Sequence, residues 1–255
     1  MKRIIITGAS SGIGYAVAEA LASRGVRLGL AARHTSTLKE LKEKYPDCVE
    51  YESIDITHAD APRKLSELIE KTGGMDIYFH VAGIGYDNPT MDPQREATII
   101  NTNASGFARM TSTAYSYFRS KRKRGQIVAV TSVAGTKGIG ELSAYSASKR
   151  CASTYLTALA QLSNNELAGI SITDIRPGWV RTPLLHSDTE YPMEMSLDYV
   201  VPQIIRAIVK HPRVAYIDWR WGLVCAIWKL IPDFIWTRMD YKKLHPLGRR
   251  HEQSK

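Results

Sequence analysis

The chain has 255 residues, of which 44% are hydrophobic and 23% are charged, proportions that are ordinary for a globular protein. Cys48, Cys151 and Cys225 lie far apart without a Cys-x-x-Cys pair. This spacing excludes a disulfide framework and a cysteine-based metal site, so we expect reduced thiols and a cytoplasmic protein. The apolar run that begins at the N-terminus is too short for a signal peptide.

The formal net charge of +9 raises the question of a nucleic-acid or membrane partner. Much of the excess is concentrated in KRKRG at 121–125 and KKLHPLGRRHEQSK at 242–255. We interpret these clusters as a solvated helix end and a flexible tail. The cluster at 121–125 also lacks interleaved aromatic residues, so a nucleic-acid partner is not expected.

Apolar runs rich in β-branched residues alternate with helical patterns along the chain. The segments predicted as strands are 2–7, 26–32, 49–54, 75–83, 125–132, 170–178 and 213–218. The segments predicted as helices are 14–25, 35–45, 59–72, 101–122 and 145–168. This alternation predicts βαβ units, and therefore a single-domain α/β fold with a doubly wound parallel sheet and helices on both faces. Ligands of such sheets bind beyond the carboxyl ends of the strands.

The first strand is followed by TGASSGIG at 7–14, which places glycines at 8, 12 and 14. The spacing G-x-x-x-G-x-G differs from the G-x-G-x-x-G fingerprint of many dinucleotide-binding proteins. It meets the same physical needs, because glycines allow a tight turn and the next helix points its N-terminus at a pyrophosphate. A plain glycine turn is the alternative, and the position at the first strand–helix junction favours a dinucleotide.

The second strand ends in Ala31, Ala32, Arg33 and His34 without an acidic residue. A carboxylate at this place would accept a hydrogen bond from the 2′-hydroxyl of NAD, whereas an arginine would neutralise the 2′-phosphate of NADP. Arg33 could also be an ordinary surface residue, but the pattern favours NADP. Asp55, just after the third strand, is placed to accept a hydrogen bond from the adenine amino group.

The segment YSASK at 145–149 places a tyrosine and a lysine four residues apart. Alone this spacing means little, because chance predicts roughly one such pair in a chain of this composition. On a helix, however, Tyr145 and Lys149 share one face, one turn apart.

TGASSGIG and YSASK together resemble the classical short-chain dehydrogenase/reductase family, over roughly residues 1–185. Further matches occur in the family's order: NASG at 103–106, Ser132 within VTSVAG, and RPGWVRT at 176–182. One departure is HVAG at 80–83, where the family usually has N-N-A-G. We expect this change to alter hydrogen bonding behind the cofactor loop without removing a catalytic group.

The resemblance implies an NADP(H)-dependent oxidoreductase that interconverts a ketone or aldehyde with an alcohol. Tyr145 would be the general acid in reduction and the general base in oxidation. Lys149 would lower the pKa of Tyr145 and hold the nicotinamide ribose, and Ser132 would donate a hydrogen bond to the substrate oxygen. Asn103 would hold a water in the proton relay.

The resemblance also implies which residues bind the cofactor. Thr182 would contact the carboxamide, with Pro177 and Gly178 shaping the turn beneath it. The full set is Gly8, Ser10, Ser11, Gly12, Ile13, Gly14, Arg33, Asp55, Ala82, Gly83, Tyr145, Lys149, Pro177, Gly178 and Thr182. No metal site is expected. A regulatory protein that binds a dinucleotide without turnover is the alternative, and the intact Ser132, Tyr145 and Lys149 argue against it.

Residues 1–218 are predicted as the catalytic domain, with the substrate loop at about 184–195, where nothing is diagnostic of one substrate. Residues 219–255 are predicted as an extension, whose WRWGLVCAIWKLIPDFIWTRM segment at 219–239 contains four tryptophans. Lys229, Pro232 and Asp233 interrupt its apolar run, so it is not a transmembrane span. It could pack on the core or in a homo-dimer or homo-tetramer, or lie in a membrane surface and suit a lipophilic substrate.

Overall fold

A computed structural model describes residues 2–121, 124–185 and 191–239 of the chain. Seven parallel strands form one sheet with the order β3-β2-β1-β4-β5-β6-β7. The strands are β1 (Arg3–Thr7), β2 (Arg27–Ala32), β3 (Val49–Ser53), β4 (Ile77–His80), β5 (Gly125–Val130), β6 (Ile170–Pro177) and β7 (Val214–Ile217). The order reverses between β1 and β4, so a crevice opens at the carboxyl ends of these two strands.

Helices cover both faces of the sheet, as the apolar runs of a parallel sheet require. They are α1 (Gly12–Ala22), α2 (Ser36–Lys44), α3 (Ala61–Lys71), α4 (Pro93–Ile100), α5 (Phe107–Ser120), α6 (Ser143–Asn165), α7 (Leu197–Lys210), α8 (Trp219–Leu230) and α9 (Asp233–Trp236). One core lies between the sheet and helices α1, α2, α7 and α8, and the other lies under α3, α5 and α6. The predicted α/β class with a single doubly wound parallel sheet is confirmed.

Some element boundaries differ from the sequence predictions. The strand predicted over 75–83 ends at His80, where the amides of Val81 and Ala82 both donate to the carbonyl of Thr7 on β1. The helix predicted over 101–122 begins as a π-helical turn at Asn101–Gly106 and continues as α5. Such turns insert an extra residue per hydrogen-bonded ring and are frequent at functional sites.

Two helices, α4 and α7, are absent from the sequence predictions although each carries a start signal. Asp92 accepts hydrogen bonds from the amides of Gln94 and Arg95, and Pro93 occupies the first helical position. Ser196 accepts a hydrogen bond from the amide of Tyr199 at the start of α7. Both caps could have been recognised from the sequence alone.

Residues 219–239 of the predicted extension fold back onto the sheet. Helix α8 follows β7 directly and buries Trp221 and Cys225 in the core formed with α1, α2 and α7. The short helix α9 is attached by a hydrogen bond from Trp236 Nε1 to the carbonyl of Gly138, at 2.7 Å. Within the described part of the chain, no helix is both long and apolar enough to cross a bilayer.

Candidate active site

A cleft of about 1090 Å³ lies at the carboxyl edge of the sheet, where the strand order reverses. The glycine loop after β1, the turn after β4, the start of α6 and the end of β6 form its walls, and α8 closes one end. These segments are far apart in the sequence. Parallel strands bring them together because all their carboxyl ends meet at one edge.

The glycine loop depends on the absence of side chains at three positions. Gly8 has φ +82°, and a Cβ placed there would lie 2.4 Å from the amide nitrogen of Ala82. A Cβ on Gly14 would lie 2.0 Å from the carbonyl oxygen of Gly8, and Gly12 has φ +52° beside the Thr182 side chain. Helix α1 starts here without a side-chain cap. Its first amides therefore face the cleft as donors for an anionic group.

At one end of the cleft, Arg33 and Asp55 line the wall beside Ser10. Burial opposes ionisation of Asp55, but hydrogen bonds from the hydroxyl and amide of Thr57 outweigh it and hold its pKa below the ordinary value. Arg33 is exposed and adds a favourable charge. This end can hold a base with a hydrogen-bonding amino group and a phosphate.

At the centre of the cleft, the Tyr145 hydroxyl is hydrogen-bonded to the Ser132 side chain. The Lys149 ammonium lies 5.6 Å from the centre of the Tyr145 ring and donates to the carbonyl of Val130 at 3.2 Å. The structure thus brings together Ser132, from the turn after β5, and Tyr145 and Lys149, from one face of α6. Tyr145 and Lys149 lie one turn apart on the same face of α6, as their spacing in YSASK predicts.

The pKa values of these groups differ in part from expectation. Burial raises the pKa of Tyr145, an effect that the hydrogen bond from Ser132 opposes. Burial lowers the pKa of Lys149 to about 8, and the carboxylate of Asp174 opposes this decrease. The sequence predicts a lowered tyrosine pKa next to the lysine. Here Lys149 is directed at Val130 instead, so burial dominates at the phenol.

The N-terminus of α6, which carries Tyr145, is fixed by another helix. Glu96 on α4 accepts hydrogen bonds from the Ser143 hydroxyl at 2.8 Å and from the Ala144 amide at 3.0 Å. Asn88 donates to the same carboxylate at 2.8 Å, and these bonds hold the pKa of Glu96 below its ordinary value. A carboxylate at a helix N-terminus also interacts favourably with the helix dipole. Glu96 therefore positions the start of α6.

Asn103 is buried in the π-helical turn and does not line the cleft. Its side chain donates to the carbonyl of Ile84 at 2.7 Å and to the Ser148 hydroxyl at 3.2 Å, and it accepts from the Ile84 amide at 2.9 Å. The structure therefore shows Asn103 fastening the turn after β4 to α6. Its expected role as a water ligand stays a prediction.

His80 replaces the first asparagine of the family pattern and is buried behind the cofactor loop. Burial, together with the charge of Lys149, lowers its pKa to about 3, so the ring is neutral. Nε2 faces the carbonyl of Ala82 at 3.1 Å and is therefore the donor, while Nδ1 accepts from the Tyr78 hydroxyl at 2.9 Å. The Thr7 hydroxyl lies 3.2 Å from the same nitrogen. His80 thus links β1 and β4 to the turn at Ala82 and Gly83.

The other end of the cleft is apolar and aromatic. Trp179 stacks on Tyr191 with ring centroids 4.5 Å apart, and Trp228 of α8 lines the same end. Trp221 packs on Gly178, where a Cβ would lie 2.1 Å from the indole nitrogen. The sequence predictions place no residue of α8 in the site, and no local motif signals that Trp221 and Trp228 reach it. Residues 186–190 of the predicted substrate loop lie outside the described residues.

The cleft fits a nicotinamide dinucleotide. Of the residues predicted for catalysis and cofactor binding, all line it except Asn103 and Gly14, which lie just behind its wall. Gly8 and Gly14 have no room for a Cβ because they pack against backbone of Ala82 and of the loop itself, so the tight turn that presents the start of α1 to a pyrophosphate can form only with glycine there. Among the described residues, no group of three or more His, Cys, Asp or Glu side chains could hold a metal ion.

Comparisons with known proteins show the family and the fold of this chain. A family profile described as short chain dehydrogenase matches residues 2–192. An uncharacterized oxidoreductase of Myxococcus xanthus is 32% identical over 239 residues, which cover 91% of this chain and 93% of that protein.

Solved structures with the same fold carry different dinucleotides. The alcohol dehydrogenase of Thermococcus sibiricus, complexed with 5-hydroxy-NADP, is 27% identical with a TM-score of 0.70 and covers 85% of this chain and 94% of its own. The 3-ketoacyl-(acyl-carrier-protein) reductase of Brucella melitensis, complexed with NADH, is 22% identical with a TM-score of 0.73 and covers 84% and 95%. The fold is thus compatible with either nicotinamide cofactor.

Proposed function

Because the chain belongs to the short-chain dehydrogenase/reductase family, we propose that this oxidoreductase uses NADP(H) to interconvert a ketone or aldehyde with the corresponding alcohol. The observation that carries the proposal is the hydrogen-bonded pair of Tyr145 and Ser132 at the centre of the cleft, with Lys149 one helical turn away. When bound, the nicotinamide supplies or accepts the hydride.

The side chains of the site divide the remaining chemistry among them. In reduction, Tyr145 donates its phenolic proton to the carbonyl oxygen of the substrate. Ser132 donates a hydrogen bond to the same oxygen as negative charge develops there, in a cleft where water is partly excluded. In oxidation, the proton moves from the alcohol to Tyr145.

Lys149 provides the positive charge that would favour the phenolate form of Tyr145 in these steps. Its pKa of about 8 keeps the side chain cationic at neutral pH. Burial of the phenol increases the cost of forming the phenolate. The Lys149 ammonium, which here donates to the carbonyl of Val130, would lower that cost by turning toward the phenolic oxygen. The ammonium also lies beside Gly83, near enough to the turn after β4 to hold a ribose hydroxyl.

The preference for NADP rests on the end of β2. Ala32 provides no acceptor for a ribose 2′-hydroxyl, whereas Arg33 lines the cleft with an exposed guanidinium. A phosphate there would form a charge-assisted hydrogen bond with Arg33.

The substrate class follows from the aromatic end of the cleft. Trp179, Tyr191 and Trp228 line it, which favours a lipophilic carbonyl compound over a small polar one. A homo-dimer or homo-tetramer and a cytoplasmic location, which the sequence analysis predicts, stay predictions.

The test is a substrate screen that follows NADPH absorbance with purified protein and a panel of ketones of increasing chain length and apolarity. We expect turnover that improves with apolar surface. Binding of NADPH without turnover of any ketone, or of the alcohols with NADP, would instead support a dinucleotide-binding regulator. Absence of cofactor binding would overturn both.

A further inference from the structure

Helix α8 and the following α9 expose a continuous set of large apolar side chains, which we name the α8 apolar face. Its members and their exposed fractions are Trp219 (70%), Leu223 (56%), Ile227 (61%), Leu230 (82%) and Phe234 (66%). The first four follow one another at spacings of four, four and three, so they lie on a single side of α8. A patch of this kind on a folded protein indicates an interaction surface.

The helix that carries this face is firmly attached to the protein. Trp221 and Cys225 on its opposite side are buried in the core. Lys137 forms an ion pair with Asp233 at 2.5 Å, next to the hydrogen bond between Trp236 and Gly138. The apolar side chains of the face are therefore exposed while the helix that carries them is packed on the protein.

The sequence that carries this face and follows it is rich in positive charge. Residues 219–255 contain eight lysines and arginines against three acidic residues, which accounts for more than half of the net charge of +9. Lys229 and Arg238 belong to the described part and are exposed, as is Arg220, which is paired with Asp218. The other five cations lie at 242–255, outside the described residues.

Two other occupants of the face fit less well. The sequence after residue 239 is too polar and too rich in charge to cover five large apolar side chains. A second copy of the chain, docked by the same face, would bring the exposed Lys229 and Arg238 of both copies to one interface, and like charges at an interface oppose association. A partner that matches both the apolar side chains and the cations has an apolar interior and a negatively charged surface.

We propose that the α8 apolar face docks onto the surface of an anionic lipid bilayer. The side chains of the face would enter the boundary between headgroups and acyl chains, with Trp219 at headgroup level and the cations beside anionic headgroups. A helix lying in the plane of the interface needs no transmembrane length.

Docking would also direct the cleft toward the bilayer. Trp228 on α8 and Leu184, which is 45% exposed, both line the cleft. A lipophilic substrate dissolved in the bilayer would then reach the cleft without crossing bulk water. This consequence rests on the proposed function, whereas the docking itself does not.

The test is sedimentation of the full-length protein with phosphatidylcholine vesicles, with and without phosphatidylserine. We expect binding only to the anionic vesicles, and weaker binding as the salt concentration increases. The double variant Leu223→Ser/Ile227→Ser should bind at least about tenfold more weakly, because two side chains lose their apolar transfer. Leu167→Ser is the matched control, since Leu167 is 90% exposed but precedes β6 at the opposite edge of the sheet.

A second double variant tests the proposal without changing any residue of α8. Lys242→Gln/Lys243→Gln removes two cations outside the described residues and should weaken binding about tenfold or more. The dissociation constant for NADPH and the melting temperature should stay unchanged for Leu223→Ser/Ile227→Ser, because both side chains are exposed and neither lines the cleft. The same two quantities are measured for Lys242→Gln/Lys243→Gln.

Three results would overturn the proposal. One is failure of the wild-type protein to sediment with anionic vesicles at low salt. Another is equal vesicle binding by the wild type and the Leu223→Ser/Ile227→Ser variant. The third is a decrease in native mass of that variant in the absence of lipid, which would show that the face joins copies of the chain. NADPH turnover enters none of these readouts, so failure of the proposed function would be seen separately.

Discussion

Two regions of the cleft are built in opposite ways: the glycine loop with the end of β2, which we name the glycine end, and the surroundings of Tyr145, which we name the side-chain end. Around the glycine loop, the site consists of backbone: Gly8, Gly12 and Gly14 lack side chains that would collide, and the uncapped start of α1 offers its amides. Around Tyr145, the site consists of side chains from distant segments, held by Glu96, Asn103 and His80. The first kind of site is encoded in eight consecutive residues. The second exists only when the whole sheet has formed.

This difference predicts how each end fails. A substitution at the glycine end should damage cofactor binding and stability together, because the loop backbone is also part of the core contact between β1 and β4. A substitution at the side-chain end can remove chemistry and leave the fold intact.

The largest effect is expected for Tyr145→Phe. The change removes the hydroxyl that transfers the proton, and a positioned acid contributes about 10²–10⁴-fold to the rate. Turnover in the substrate screen should therefore decrease at least about 100-fold, while the dissociation constant for NADPH changes little.

Tyr155→Phe is the matched control, because Tyr155 is on the same helix but packs against Phe107, away from the cleft. Retention of more than about a tenth of wild-type kcat by Tyr145→Phe would contradict its role as the acid. An equal loss in both variants would indicate damage to α6 itself.

The next effect concerns Gly8→Ala. The new methyl group would meet the backbone of Ala82 at 2.4 Å in a residue with φ +82°, so the loop must shift. We expect destabilisation by about 2–4 kcal/mol and a large loss of NADPH affinity, measured by urea unfolding and by titration.

Gly25→Ala separates the two causes of this loss. Gly25 also has positive φ, +71°, but a Cβ there has nothing within 4 Å. Only the conformational cost of about 1 kcal/mol should remain, with unchanged NADPH binding. If Gly8→Ala behaves like Gly25→Ala, the close contact with Ala82 is not what requires glycine.

His80 joins the two ends and provides a pH-dependent test. Its folded-state pKa of about 3 lies below the ordinary 6.5, so the unfolded chain binds a proton that the native protein does not. This contribution to stability is present above about pH 6.5 and is lost as the pH decreases toward 3. It amounts to a few kcal/mol, since each pKa unit corresponds to about 1.4 kcal/mol.

His80→Asn should therefore flatten the decrease in the free energy of unfolding between neutral and acidic pH, measured by urea titration at a series of pH values. His34→Asn, which changes an exposed histidine, should follow the wild-type curve. Parallel curves for wild type and His80→Asn would show that the buried ring is not the group that titrates.

The smallest effect is expected for Arg33→Ala, which tests the cationic side chain at the glycine end. The wild-type protein should bind NADPH at least about tenfold more tightly than NADH, because a charge-assisted bond to phosphate contributes about 1.5–3 kcal/mol. Arg33→Ala should remove most of this difference and leave NADH binding unchanged. Arg24→Ala, an exposed arginine away from the cleft, should keep it. Equal affinity of the wild type for both cofactors would refute the preference.

The sequence by itself determines the α/β class, the glycine loop and the Tyr145–Lys149 face. These features depend on local rules: hydrophobic period, the conformational needs of glycine, and the helical repeat that places residues four apart on one side. Helices α4 and α7 could also have been predicted from the sequence. Asp92 with Pro93 marks the start of α4, and Ser196 marks the start of α7.

Only the tertiary structure decides which distant groups meet. It sets Glu96 at the start of α6, and Asn103 between Ile84 and Ser148 rather than on the wall of the cleft. It also turns α8 so that Trp228 faces the cleft while Leu223 and Ile227 face outward. The physical reason is that burial and contact are set by packing against elements remote in sequence, and no local pattern carries that information.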